Sequence, residues 1–377
     1  MNMQNTLKYK GLILLAAVIG FTGCRKIFDL PEEKDYLSPR ADYTTKIFNW
    51  RLGRTTVNQY VFNPDGSNFP MTFEIRNARF GDGKDANDMF APKPVLVWTG
   101  EYTGYETSLA QIEAKRKIEN HPMVEIRGNG DVVFWNSATR DLIKPLDSAQ
   151  KRFAQDYRFF DVKVTNSGGS KIIKDLRVDP LIDIPYWPDN DYNDITGKPR
   201  TDGPSSRTLT YNYASVSGLK GPNNQPIENN TSNPSAGLVR VYFRKFTDDP
   251  NGHRLRIKFL DKDSVAMNPG LFNETKWMNQ VHGFNEAGTE LGYVLNSQYV
   301  EYNVAYPIPL IRLPTRYTSG GLQGAGENAH LEFVYSRTGF GGVRETGIVA
   351  QDFKIYEKGD WEIVFHFKFV NPKFENE

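Results

Sequence analysis

The chain has 377 residues, 46 basic and 45 acidic side chains, and one cysteine. Because the charges balance, no basic surplus is available to hold a phosphate backbone, and we expect no nucleic-acid partner. A single cysteine excludes an internal disulfide, and an aromatic content of 13% favours β-strands.

The N-terminus has the layout of a secretory signal peptide. Lys8 and Lys10 precede the apolar stretch "GLILLAAVIGF", which leads through small residues to Cys24. The stretch is too short to span a bilayer, which takes about 20 apolar residues. The pattern resembles a bacterial lipobox, so we predict a signal peptide over residues 1–23 and lipidation of Cys24. The alternative is an ordinary signal peptide with an incidental thiol, since Phe21 is a less usual lipobox residue than leucine.

Residues 24–46 are charged and interrupted by prolines, which predicts a tether. An N-terminal β domain is then predicted over residues 47–184. In it "MTFEIRNARF" alternates, and "RFFDVKVTNSGGSKIIKDLRV" is typical of a hairpin. Residues 108–120, "SLAQIEAKRKIEN", begin with a capping box formed by Ser108 and Gln111, which predicts one short surface helix.

Residues 185–236 are rich in Pro, Asn and Gly, which predicts an inter-domain region. A C-terminal β domain follows over residues 237–377. Residues 239–260 are typical of a β-hairpin whose turn is "TDDPNG". Residues 351–370 are typical of a second β-hairpin, whose turn lies at residues 357–360. Alternation in the last of these predicts that residues 361, 363, 365, 367 and 369 line one buried face opposite a solvated one. The expected fold class is all-β, an antiparallel β-sandwich arranged as two sandwich-like domains.

The loop "PYWPDNDYND" is the most suggestive candidate for ligand binding. Its prolines and acids predict solvent exposure for Tyr186, Trp187 and Tyr192, and an exposed aromatic ring beside carboxylates is the arrangement of a sugar-binding platform. The alternative is that Trp187 fills the seam between the two domains, as large aromatic side chains commonly do.

Two acidic clusters could supply the oxygen ligands of calcium. The first is Asp189, Asp191, Asn193 and Asp194, and the second is Asp82, Asp85, Asn87 and Asp88. Neither matches an EF-hand, and polar turn chemistry explains both equally well. No other cofactor is predicted.

No catalytic residue is predicted. The sequence has no nucleophile elbow, and no two of its five histidines stand at metal-ligand spacing. His366 is expected on a half-exposed strand, and His121 at a helix end. The glycine-rich segment "GGLQGAGENAH" is read as a hairpin loop rather than a phosphate cradle. The many carboxylates do not single out a hydrolytic pair, so the sequence favours a non-enzyme.

Several stretches resemble a family of uncharacterised lipoproteins from Bacteroidota. They include "LPEEKDYLSPRADYTTKIF", "PVLVWTGEYTGYETSLAQIEAKRKIENHP", "YPIPLIRLPTRYTSGG" and "EKGDWEIVFHFKFVNPKFENE". The resemblance covers nearly the whole chain after Cys24 and implies no residue roles, because the family has no assigned activity. It implies an accessory role beside outer-membrane nutrient-uptake systems, with outer-membrane transport proteins as partners.

Three functional hypotheses follow. The first is a non-enzymatic protein, anchored in the outer membrane by its lipid, that binds a glycan or similar ligand. The second is a structural module that docks onto another envelope protein through a sheet face or edge. The third is a glycan hydrolase with a site on the loops. Whether the protein faces the periplasm or the cell surface stays open.

Overall fold

The computed structural model describes residues 34–143, 156–189, 211–229, 232, 236–285 and 292–377. Cys24, Asp191, Tyr192 and Asn193 lie outside these residues, and the predictions made for them stay predictions. No helix within the described ranges has the length and apolar character needed to cross a membrane.

β-strands make up nearly all of the regular secondary structure in the described part of the chain. One short α-helix is present there, α1 (Leu109–Glu113). In the first half the strands are β1 (Asp42–Tyr43), β2 (Ile47–Arg51), β3 (Thr56–Asn58), β4 (Phe62–Asn63), β5 (Thr72–Phe80), β6 (Lys93–Trp98), β7 (Arg116–His121), β8 (Val124–Ile126), β9 (Val132–Phe134), β10 (Arg158–Asn166) and β11 (Gly169–Leu181). In the second half they are β12 (Tyr186–Trp187), β13 (Asn212–Tyr213), β14 (Ser215–Ser217), β15 (Leu238–Lys245), β16 (Arg254–Leu260), β17 (Ala266–Met267), β18 (Tyr293–Leu295), β19 (Val300–Asn303), β20 (Ala329–Thr338), β21 (Arg344–Ile355) and β22 (Trp361–Lys368).

The first half of the chain packs two sheets around one hydrophobic core. One sheet has the order β2-β11-β10-β5, and the other has the order β3-β9-β8. The predicted β10–β11 hairpin is confirmed, and Phe160, Val162 and Val164 point into the core. Trp50 of β2 stacks on Phe134 of β9 with 5.5 Å between ring centroids, which joins the two sheets.

The second half also packs two sheets face to face. The larger has the order β13-β15-β22-β16-β19-β18 with β17 beside β16, and the smaller joins β20, β21, β12 and β14. Phe333 of β20 meets Phe365 of β22 edge to face, with 5.0 Å between ring centroids. The all-β, sandwich-like prediction is therefore confirmed. Two pairings, β2 with β11 and β16 with β22, are parallel, so the sheets are not purely antiparallel.

The expected hairpin between residues 239–246 and 253–260 does not form. The last strand, β22, lies between β15 and β16, antiparallel to the first and parallel to the second. The alternation of apolar residues along β15 and β16 correctly indicates which side chains are buried. It carries no information about which strand lies alongside, because pairing is decided by the whole sheet.

The expected closing hairpin is also wrong. β21 and β22 belong to different sheets, and residues 357–360 carry the chain from one sheet to the other. Trp361, Ile363, Phe365 and Phe367 do face the core. The opposite face of β22 is buried as well, including His366, because β22 is a central strand covered by side chains of both neighbours. Phe369 is exposed, since β22 ends at Lys368.

The predicted helix over residues 108–120 is much shorter in the structure. Its capping is confirmed: Ser108 Oγ accepts a hydrogen bond from Gln111 N–H, and Gln111 Oε1 accepts one from the backbone N–H of Thr107. After five residues the chain leaves the helix, and β7 pairs with β6. The apolar face of the predicted helix consists essentially of Leu109, Ile112 and Ile118. So thin a face leaves a helix marginal alone, and pairing with β6 prevails over the helix propensity of residues 116–120.

Two predicted segment boundaries need correction. Ala41 and Tyr43 belong to the first core, so the folded body begins before the expected end of the tether at residue 46. Within the expected inter-domain region, the described residues Tyr186, Ala214, Leu219 and Ile227 belong to the second core. A third apolar cluster joins the two halves: Tyr102, Ile112, Phe284, Ala305 and Leu310.

Candidate functional site

The loop that carries Trp187 is a short edge strand rather than an open loop. Tyr186 is 4% exposed and stacks on Phe243 with 4.9 Å between ring centroids. Its expected role in ligand binding is therefore wrong, since β12 pairs with β21 and turns this ring into the core. Trp187 points the other way and is 41% exposed. Its binding role stays a prediction.

The acidic clusters contain no assembled cation site in the described part of the chain, where no group of three or more His, Cys, Asp or Glu side chains could hold a metal. In the second cluster, Asp88 accepts a 2.6 Å hydrogen bond from the buried Arg158. Lys84 Nζ lies 3.3 Å from Asp82. These two carboxylates are therefore engaged by cations of the protein itself.

A concave feature lies where the two halves of the chain meet. We name it the Tyr105 cleft, and it encloses about 490 Å³ including the solvent at its mouth. From the first half it is lined by residues 105–107. The second half contributes Met278, Asn285, Arg316 and Tyr317, among others.

A tight turn displays Tyr105 at the cleft. Gly104 adopts φ = +78°, a conformation that favours glycine, and a Cβ there would lie 3.0 Å from Thr315 Cγ2. The carboxylate of Glu106 accepts hydrogen bonds from the backbone N–H groups of Thr103 and Gly104, both at 2.9 Å. This turn leaves the ring of Tyr105 67% exposed.

Glu106 is a buried carboxylate with a fixed negative charge. Burial by itself would raise the pKa of Glu106. Hydrogen bonds from Lys115 and from the backbone and side chain of Thr103 outweigh that effect and lower the pKa to about 2. The charge of Glu106 is thus used to shape the turn and to pair with Lys115.

His282 fixes the floor beneath this turn. Its Nδ1 lies 2.7 Å from Tyr102 OH, and its Nε2 lies 2.7 Å from the carbonyl oxygen of Glu106. A carbonyl only accepts, so Nε2 carries the proton and Nδ1 accepts from the tyrosine. The imidazole also stacks on Tyr317 with 4.8 Å between ring centroids. Both nitrogens are occupied, so His282 is a structural group rather than a general base.

Arg316 stands at the mouth of the Tyr105 cleft. Its Nη2 donates a 2.5 Å hydrogen bond to Tyr317 OH. Its Cζ lies 4.8 Å from the ring centroid of Tyr317 and 5.8 Å from that of Tyr105. The guanidinium is therefore held between two tyrosine rings, with one of its donors engaged.

An apolar pocket adjoins the Tyr105 cleft and shares Val281 and Tyr317 with it. It encloses about 440 Å³ including open solvent. The lining comes mainly from residues 280–282 and 304–318, where Pro307, Ile308, Pro309 and Leu310 give an aliphatic surface. The polar Tyr105 cleft and this apolar pocket thus lie side by side, and ligand sites commonly combine both kinds of surface.

Acidification is expected to destabilise the protein through His282. Burial, the main cause, lowers the pKa of His282 below its ordinary 6.5, and the charge of Arg316 acts in the same direction. Below about pH 6.5 the imidazole of His282 is protonated more readily in the unfolded chain than in the folded chain. The free energy of unfolding is therefore unaffected by His282 above about pH 6.5 and decreases below it. Thermal unfolding at about pH 7.5 and about pH 5.5 should show a larger loss for the wild type than for His282→Gln.

The difference between the wild type and His282→Gln in this loss of thermal stability isolates the contribution of His282. The pKa of His121 is raised by hydrogen bonds to Glu119 and Glu125, so its contribution has the opposite sign. Burial lowers the pKa of His366. Both residues are present in both proteins, and their effects cancel in the difference. Equal losses for the wild type and His282→Gln would contradict this account.

Tyr105, Arg316 and Tyr317 are not among the candidate residues predicted from the sequence. A signal exists in "YTGY", where a glycine between two tyrosines indicates a turn that presents aromatic rings. The expected positions of two histidines are also corrected. His121 lies on β7 between Glu119 and Glu125, not at a helix end, and His366 is buried on β22, not half-exposed.

The comparison with known proteins concerns most of the chain. Residues 62–376 match the family described as a domain of unknown function, DUF5007. No curated protein and no solved structure is significantly similar to the chain. The match includes both contributions to the Tyr105 cleft, residues 105–107 and 278–317. The chain belongs to the DUF5007 family of domains of unknown function.

Proposed function

We propose that the protein binds a saccharide in the Tyr105 cleft, without catalysing a reaction, as a lipid-anchored protein of the outer membrane. The observation that carries the binding proposal is the exposed ring of Tyr105, held beside the guanidinium of Arg316 at the mouth of a cleft. An aromatic ring offers a flat apolar face to the C–H groups of a sugar, and neighbouring polar groups can bind its hydroxyls.

The polar groups around this ring are positioned by the fold. Asn285 N–H donates a 2.9 Å hydrogen bond to the carbonyl oxygen of Thr107, which links the two halves of the chain at the cleft. The backbone N–H of Thr107 is in turn bound by Gln111. A site whose groups are already held in place loses less entropy on binding, and this favours recognition of a small polar ligand.

The hydrolase alternative finds little support among the described residues. A glycosidase needs one carboxylic acid that is protonated near neutral pH. Among the described lining residues of the Tyr105 cleft, Glu106 is the one carboxylate, and its pKa of about 2 keeps it ionised. The described lining therefore offers groups for binding rather than a proton donor.

The alternative function, docking onto another envelope protein through a sheet edge, is disfavoured at one strand. Side chains of the segment before β20 occupy the free edge of this strand. Thr275 Oγ1 accepts a 2.9 Å hydrogen bond from the N–H of Val334, and Asn273 Oδ1 accepts one of 2.9 Å from the N–H of Ser336. Gln280 Oε1 accepts one of 2.7 Å from the N–H of Glu332. An added strand could not pair there without displacing them.

An association with outer-membrane transport proteins is retained from the family resemblance as part of the proposal.

Tyr105→Ala is expected to weaken saccharide binding about 10-fold, because loss of an aromatic contact costs about 1–2 kcal/mol. The melting temperature should stay nearly unchanged, since an exposed side chain contributes little to stability. A glycan-array screen of residues 25–377 identifies the ligand, and calorimetric titration measures the affinity.

Two variants make this test specific. Tyr36→Ala, at a tyrosine that is 54% exposed outside the cleft, should leave the affinity unchanged. Trp187→Ala tests the sequence-based platform. If Trp187→Ala abolishes binding while Tyr105→Ala leaves it intact, the saccharide binds at β12 and not in the Tyr105 cleft.

A further inference from the structure

We infer that the saccharide bound in the Tyr105 cleft is acidic and that Arg316 receives its carboxylate. This inference rests on the saccharide-binding function proposed above and adds the chemical class of the ligand. It is carried by the charges of the cleft and by the geometry of one guanidinium.

Arg316 has no acidic partner within the described residues. Its contacts there are the hydroxyl of Tyr317 and the faces of two tyrosine rings. Other exposed arginines nearby in sequence behave differently: Arg312 lies 2.8 Å from Glu327, and Arg344 lies 3.0 Å from Glu274. Arg316 thus presents a full positive charge to the cleft.

The other charged group in the described lining does not cancel this charge. Glu106 is buried, and its carboxylate is occupied by Lys115 and by the turn at residues 103–104. Because Glu106 and Lys115 pair with each other, the uncompensated charge in the described lining of the Tyr105 cleft is the positive charge of Arg316. A neutral saccharide could not form an ion pair with the guanidinium of Arg316, whereas an anionic saccharide could.

The shape of the guanidinium matches a carboxylate. Arginine carries five N–H donors in a planar fork, and one of them is engaged by Tyr317. That hydrogen bond and the two rings hold the fork in place, so little side-chain entropy is lost on binding. A carboxylate can then accept two parallel hydrogen bonds while the sugar ring lies against Tyr105.

The positive charge of Arg316 affects the pKa values of Tyr317 and His282. Burial raises the pKa of Tyr317, and the guanidinium opposes this through a hydrogen bond and its charge. The same charge contributes to the lowered pKa of His282, after burial. At Tyr317 the charge of Arg316 outweighs that of Glu106, so an anion is favoured beside this ring, whereas at His282 the charge of Glu106 opposes that of Arg316 and acts more strongly.

The test compares acidic oligosaccharides with their own methyl esters. Oligomers of galacturonate, glucuronate and mannuronate are titrated into residues 25–377, in parallel with the esterified forms, which keep the ring and lose the charge. We expect at least one acid to bind and its ester to bind about 10-fold more weakly, and Arg316→Gln to weaken binding of the acid by a similar factor. Arg316→Gln should not change the affinity for the ester.

Control variants and outcomes separate this inference from the proposed function. Arg316→Lys keeps the charge but loses the fork, so it should recover only part of the affinity. Arg344→Gln, outside the cleft, should have no effect. If esters or neutral oligosaccharides bind as tightly as the acids and Tyr105→Ala weakens them, the acidic class is wrong while saccharide binding stands. If neither acidic nor neutral oligosaccharides bind, both proposals are wrong.

Discussion

Replacing Phe365 with alanine is expected to lower the free energy of unfolding by about 3–5 kcal/mol. Phe365 is fully buried at the centre of β22, the strand that lies between β15 and β16. Its ring lies 5.6 Å from that of Phe259 in the same sheet and 5.0 Å from that of Phe333 in the facing sheet. Alanine would remove these contacts and leave a cavity between the two sheets, because close-packed neighbours relax only in part.

Urea unfolding followed by tryptophan fluorescence measures this loss. Phe340→Ala is the matched control, since Phe340 is 86% exposed and its removal should change stability by less than about 0.5 kcal/mol. A loss for Phe365→Ala as small as that of Phe340→Ala would contradict the placement of β22 at the centre of the larger sheet.

Replacing Cys24 with serine is expected to move nearly all of the protein from the membrane fraction to the soluble fraction. Serine has no thiol to accept the lipid, and each buried methylene of an acyl chain contributes about 0.8 kcal/mol to membrane binding. One chain holds a protein only marginally, so two or three chains provide a lasting anchor. Cell fractionation with immunoblotting measures the change, and intact mass spectrometry reports the modification.

The anchoring test has its own control. Phe21→Leu brings the sequence closer to the usual lipobox and should leave the protein in the membrane fraction. Recovery of Cys24→Ser with the membranes, or an unmodified Cys24 thiol in the wild type, would overturn the lipoprotein proposal. It would leave saccharide binding by the Tyr105 cleft untouched, because that proposal depends on other residues.

Membrane anchoring and acidic-saccharide binding would act together physically. A lipid anchor confines the protein to a surface, and this raises the local concentration of a ligand site near any membrane partner. The predicted tether after Cys24 would separate the folded body, which Leu37 already contacts, from the lipid. A ligand captured through Arg316 would thereby be held close to the bilayer.

The candidate site shows where prediction from sequence fails. Tyr105 and Arg316 are more than 200 positions apart, and no local pattern links them. What joins them is the third apolar cluster, in which Tyr102 and Ile112 pack with Phe284 and Leu310. The loop around Trp187 suggested a site because its composition is polar, but composition does not reveal that β12 pairs with β21 and buries Tyr186.

Local sequence patterns alone indicate the all-β fold class, the core-facing side chains at residues 361, 363, 365 and 367 of β22, and the residue at which α1 begins. These properties depend on period-two alternation and on capping, both of which act between neighbouring residues. Three further features are visible only in the folded chain: β22 separates β15 from β16, residues 116–121 form a strand, and the Tyr105 cleft is present. Each of these depends on contacts between distant segments, whose energies exceed the local preferences of the residues involved.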